Sequence, residues 1–192
     1  MLKPATSLNH IAMPTNNTAE TYRFYTKVMG FPLKSAVREE RVPSTGDETP
    51  FLHTFFALED GSCMAFFDIA GEQFAGRSDG VPSWIRHFAF NVETYEELLS
   101  WKARLEENGI SVLGVIDHEG IWQSIYFFDP NGLRLELTWQ KRDLEPEDTA
   151  HGEELVRQWI EEFDQKDADH VAGDALPEGA EPQDREPETA PA

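Results

Sequence analysis

Two histidines and one carboxylate, His10, His87 and Glu136, are the side chains of this chain whose types and placement best suit chemistry. His10 lies in Asn9-His10-Ile11-Ala12-Met13 and His87 in Arg86-His87-Phe88-Ala89-Phe90, two segments of matching pattern. In an extended strand, side chains alternate between faces. Each histidine therefore stands opposite the apolar pair, Ile11 and Met13 or Phe88 and Phe90, that would pack beneath a helix. Glu136 alternates in the same way against Leu133, Leu135 and Leu137. Two histidines and a carboxylate form the facial-triad pattern of non-haem Fe(II), which leaves metal positions open for a substrate and dioxygen.

The elements that must position these residues read as one unit used twice. Ser7–Met13 is predicted as a strand, Ala19–Met29 as a helix ended by Gly30, and Phe31–Arg41, Phe51–Leu58 and Ser62–Ile69 as strands. Gly71–Pro82 is a linker, and the order then starts again. Trp84–Val92 is a strand, Glu93–Asn108 a helix closed by Gly109, and Ile110–Ile116, Ile121–Asp129 and Leu133–Gln140 are strands. The last two form a hairpin over Asp129-Pro130-Asn131-Gly132. The expected fold is α+β, with paired βαβββ modules at about 7–70 and 84–140 curving a mixed sheet into a cup around a metal site. Internal repetition lets the halves be superposed. His10 then matches His87, Ala65 matches Glu136, Phe55 matches Tyr126, and His53 matches Ser124. Ala65 occupies the place of a fourth ligand and cannot coordinate.

Composition narrows the partners. The net charge is −20, and residues 143–192 hold 17 acidic against 3 basic side chains. Nucleic acid is an improbable partner for so acidic a chain. A single cysteine, Cys63, excludes an internal disulfide and suits a reducing compartment. With no long apolar run, the expectation is a soluble cytoplasmic protein away from membranes. Residues 1–142 read as the folded domain, 143–166 as a helical extension with Leu155, Trp159 and Phe163 on one stripe, and 167–192 as a disordered acidic tail.

The run Ser124-x-Tyr126-Phe127-x-Asp129-Pro130-Asn131-Gly132-x-x-x-Glu136, together with His10 and His87, resembles the vicinal oxygen chelate superfamily. That superfamily contains glyoxalase I, extradiol ring-cleavage dioxygenases, fosfomycin-resistance transferases and bleomycin-resistance proteins. The similarity spans roughly residues 7–140. It implies His10, His87 and Glu136 as ligands of Fe(II), with Mn(II) or another divalent ion as the alternative. It also implies extradiol-type cleavage of a catechol-like aromatic substrate with O2. In that reading His118 is the acid/base group and Tyr126 a hydrogen-bond donor to substrate, both catalytic. His53, Phe55, Trp122 and Ser124 would bind the substrate. Extradiol enzymes usually carry a further histidine that Gly71–Trp84 lacks, and His53 is its candidate substitute. Two other classes stay open: a glyoxalase- or fosfomycin-resistance-like lyase, isomerase or transferase, and a non-catalytic protein that binds an aromatic ligand. A homo-oligomer is compatible with each.

Overall fold

The computed structural model describes residues 5–74, 81–82 and 84–163. Chain contacts divide it into two units, Met1–Arg142 and Asp143–Ala192. The first unit holds the two βαβββ modules. Module 1 comprises β1 (His10–Pro14), α1 (Thr18–Arg23), β2 (Leu33–Glu39), β3 (Phe51–Ala57) and β4 (Cys63–Ile69). Module 2 comprises β5 (Phe88–Val92), α2 (Tyr95–Glu107), β6 (Leu113–His118), β7 (Trp122–Phe128) and β8 (Arg134–Gln140). The sheets have the orders β1-β4-β3-β2 and β5-β8-β7-β6, each with one parallel pair and two antiparallel pairs.

Local chemistry fixes where the helices begin and turn. Asn17 caps α1 through its side chain on the Glu20 amide, and Thr94 caps α2 on the Glu97 amide. The helix expected over Ala19–Met29 divides in two, because a π-helical turn, Phe24–Val28, continues α1. That wider turn buries Phe24, Tyr25, Val28 and Met29 together.

One core serves both modules. It joins Phe24, Tyr25, Val28, Phe56, Met64 and Phe66 of module 1 to Phe90, Leu98, Leu105, Ile125, Phe127 and Leu135 of module 2. Polar bonds bolt the halves across it. The Tyr25 hydroxyl donates to Asp129 Oδ2 at 3.0 Å, and the Arg104 guanidinium donates to the Val28 and Lys27 carbonyls. Asp129 also accepts from the Asn131 and Leu133 amides and from the Asn131 side chain, so four donors converge on one carboxylate. Burial nevertheless holds its carboxyl above the ordinary range.

Because the core lies between the modules, the other face of each sheet points away from it. The expected paired βαβββ modules are present, each with its own mixed sheet. The strands form two four-stranded sheets rather than one.

The register confirms the repeat rung by rung. Ala65 pairs with Phe55 and Ala12, while Glu136 pairs with Tyr126 and Ala89. His53 pairs with Phe67, as Ser124 pairs with Thr138. One glycine is demanded by close approach: Gly114, at φ +121°, would bring a β-carbon to 2.7 Å from the Ser124 carbonyl. It sits where the β6–β7 register shifts, and so seats β7 against its neighbour.

In the second unit α3 spans Pro146–Glu162, with Glu145 and Asp148 closing a capping box and Pro146 in the first turn. The Trp159 and Phe163 rings meet at 4.3 Å, tilted by 38°, and Arg157 pairs with Glu154 and Glu161. The expected disordered tail, 167–192, lies outside the described residues. No helix among the described residues is long and apolar enough to cross a membrane.

Candidate metal centre

The open face of the second sheet carries the polar constellation. His87, one residue before β5, sets Nε2 at 2.9 Å from Glu136 Oε2. The Glu136 side chain is 9% exposed and that of His87 32%, so the pair is partly enclosed rather than a surface ion pair. Tyr126 lies beside Glu136 across the ladder, edge-on to the His87 ring at 5.8 Å. Its hydroxyl meets His118 Nε2 at 2.9 Å. Burial, then the Glu136 charge, pushes the Tyr126 phenol above its ordinary value, so it stays protonated. The Arg134 guanidinium lies 4.3 Å from the centre of the same ring.

Ser124 is fully buried, and its Oγ lies 2.9 Å from Thr138 Oγ1. Trp122 sits at the end of β7, where its indole donates to Gln140 at 3.4 Å. Asp117 holds the loop behind His118 by accepting from the Gly120 amide and from Gln123.

His10 stands on the other sheet. Its Nδ1 lies 2.6 Å from Asn9 Oδ1, an arrangement that leaves Nε2 free to coordinate. Its ring contacts His53 at 5.9 Å and Phe55 at 5.3 Å. His53 is buried; its Nδ1 donates to the Phe66 carbonyl at 3.2 Å, and its ring stacks on Phe67 at 3.7 Å. Desolvation lowers its pKa, which leaves it neutral near pH 7.

Within one chain His87, Glu136, Tyr126 and His118 come together, while His10 joins His53 and Phe55. No group of three His, Cys, Asp or Glu side chains among the described residues is placed to hold one ion. The donor chemistry fits a divalent metal, since two imidazoles and a carboxylate are ordinary ligands for Fe(II), Mn(II) or Zn(II). Sequence reasoning missed Arg134 as a site residue although it shares the Glu136 face. It also missed Asp129, which reads as turn chemistry until Tyr25 is found above it.

Residues 7–137 match the model of the Glyoxalase/Bleomycin resistance protein/Dioxygenase superfamily. The chain belongs to that superfamily. Among curated proteins it is similar to Metallothiol transferase FosB of Bacillus licheniformis, 30% identical over 131 residues that cover 68% of this chain and 73% of that one. A glyoxalase family protein from Enterococcus faecalis shares 26% identity at a TM-score of 0.52, covering 69% of this chain and 97% of its own. The fosfomycin resistance protein FosX of Listeria monocytogenes shares the fold at a TM-score of 0.52 and 18% identity, over 73% of this chain and 96% of its own.

Proposed function

We propose that this protein is a divalent-metal-dependent transferase or isomerase acting on a small substrate that presents neighbouring oxygens. The observation that carries the reading is the Glu136–His87 pair at 2.9 Å, with the Tyr126 hydroxyl beside it and His10 at the equivalent rung of the other module. Similarity to a metallothiol transferase favours addition of a thiol over oxygen chemistry.

The two open faces point away from a shared core, so the ligand set is completed between two copies: His10 of one, His87 and Glu136 of the other. Leu113, Ile116 and Phe128 stand exposed on the module 2 face, which gives a second copy apolar surface to cover. When bound, the ion supplies Lewis acidity toward the substrate oxygens. Tyr126, kept protonated and oriented by His118, donates a hydrogen bond to one of those oxygens. Arg134 gives the approach a positive potential that favours an anionic substrate. The thiol sulfur bonds to a substrate carbon as the bond from that carbon to the oxygen facing Tyr126 breaks; that oxygen keeps the electron pair and takes the thiol's proton.

The His118–Tyr126 hydrogen bond supports a second reading, extradiol-type ring cleavage with Fe(II) and O2, in which His118 is the acid/base group. Oxygen uptake separates the two: the transferase or isomerase turns over anaerobically, and the dioxygenase does not.

The shared site is tested by mixing His10→Ala and Glu136→Ala chains and measuring Mn(II) binding. Neither variant alone should bind. After subunit exchange about a quarter of the sites should recover, because half the dimers regain one intact centre. No recovery despite exchange would place all three ligands in one chain.

A further inference from the structure

A cavity of about 380 Å³ opens on module 1 between the loop of residues 42–49 and the ends of β3 and β4. Its walls include Val42, Pro43, Thr49, Phe51, Phe67 and Ile69, a nearly all-hydrocarbon lining. Such a volume falls in the usual range for small-molecule sites, roughly 300–1,000 Å³.

The loop that makes the outer wall is braced by its own bonds. The Val42 amide donates to the Asp47 carbonyl at 2.8 Å and the Gly46 amide to the Val42 carbonyl at 2.8 Å. Arg41 spans the loop by donating to the Gly46 carbonyl and to Glu48. The Thr45 hydroxyl donates to Asp47. A continuous series of rings then leads from the cavity to a proposed metal ligand. Phe51 meets Phe67 at 5.3 Å, Phe67 stacks on His53 at 3.7 Å and 7°, and His53 meets His10 at 5.9 Å.

We propose that this cavity is a specificity pocket for a flat, apolar ring of the substrate, carried beside the oxygens that His10 helps to hold. The pocket's role in turnover rests on the proposed function; its affinity for a flat ring does not. The class follows from the walls: aromatic faces at the floor favour a planar group, and the lining offers almost no polar partner to a hydrophilic one.

The test titrates 2-naphthol, and separately decahydro-2-naphthol, into the full-length protein with and without Mn(II), followed by NMR. Saturable shifts at Val42, Thr49, Phe51 and Ile69 are expected, with naphthol binding at least about fivefold tighter than its saturated counterpart. Filling the cavity by Thr49→Trp, or at a further lining residue by Ser44→Trp, should weaken naphthol at least about tenfold and leave Mn(II) affinity unchanged. Shifts elsewhere, equal affinity for both probes, or full naphthol affinity in folded variants would overturn the pocket. Binding only after dilution to monomer would also overturn it, since a second copy then fills the groove. Loss of Mn(II) binding by the wild type, with naphthol binding retained, would strike the metal reading and leave the pocket standing.

Discussion

The open faces of the two sheets share a register and differ in chemistry. Where module 2 presents Glu136, Tyr126, Ser124 and Thr138, module 1 presents Ala65, Phe55, His53 and Phe67 at the same rungs. One face is a set of hydrogen-bonding and ionisable groups; the other is an aromatic wall with one exposed histidine, His10. A site needs both kinds of surface: donors to hold and activate the oxygens, and an apolar wall to select the rest of the molecule. On the proposed function those tasks are divided between the modules, and His10 and His87 are the ligands they hold in common.

Exchanging groups at equivalent rungs is the sharpest way to break that contrast. Glu136→Ala should weaken Mn(II) binding by more than ~100-fold, because it deletes the only carboxylate of the donor set. Ala65→Ser, at the matching rung, should leave it within about twofold. Isothermal titration of both variants decides, and equal losses would mean that the first sheet also supplies donors near the metal. Next in size, Tyr126→Phe should slow turnover on the order of 100-fold with little change in metal affinity. Phe55→Leu should leave kcat within about threefold. A Tyr126→Phe enzyme of normal kcat would remove the phenol from the reaction.

The smallest effect concerns the bolt between modules. Asp129→Asn replaces an acceptor-only carboxylate, into which four donors point, with a group that must turn an amide toward some of them. It should cost about 2–3 kcal/mol in urea unfolding. The sign of its pH dependence follows from the raised Asp129 pKa. The native state binds this proton more tightly than the unfolded chain. Its contribution is therefore full below the ordinary carboxylate value and declines as pH rises through the folded one. The Asn penalty should accordingly be larger near pH 4 than at pH 7. A penalty that grows with pH would show that the four donors, rather than burial, govern this carboxyl.

Much of this could be read in the sequence, for identifiable reasons. Alternation placed His10, His87 and Glu136 opposite their greasy partners, and the two Gly-containing turns fixed the superposition that the ladders reproduce. Local patterning could not say on which side of the sheets the halves would meet. That depends on Tyr25 finding Asp129 and on Arg104 finding the end of the π-helical turn, pairings 104 and about 76 residues apart in the chain. Such contacts leave no periodic trace. Alternation put His10, His87 and Glu136 on open faces, but it could not say that no three such side chains among the described residues would meet within one chain. Loop 42–49 reads as Pro-, Ser- and Gly-containing turn material, and only its cross-bracing reveals a wall.

The matched ladders carry a consequence for inheritance. In each module the alternate residues that build the core occupy one face, and those of the proposed site occupy the other. A substitution at the Ala65 or Glu136 rung can thus rewrite what the protein handles without touching the alternate residues that specify its shape. A repeated sheet of this kind behaves as two pages ruled with the same lines: one carries polar groups, the other hydrocarbon, and either can be edited a line at a time.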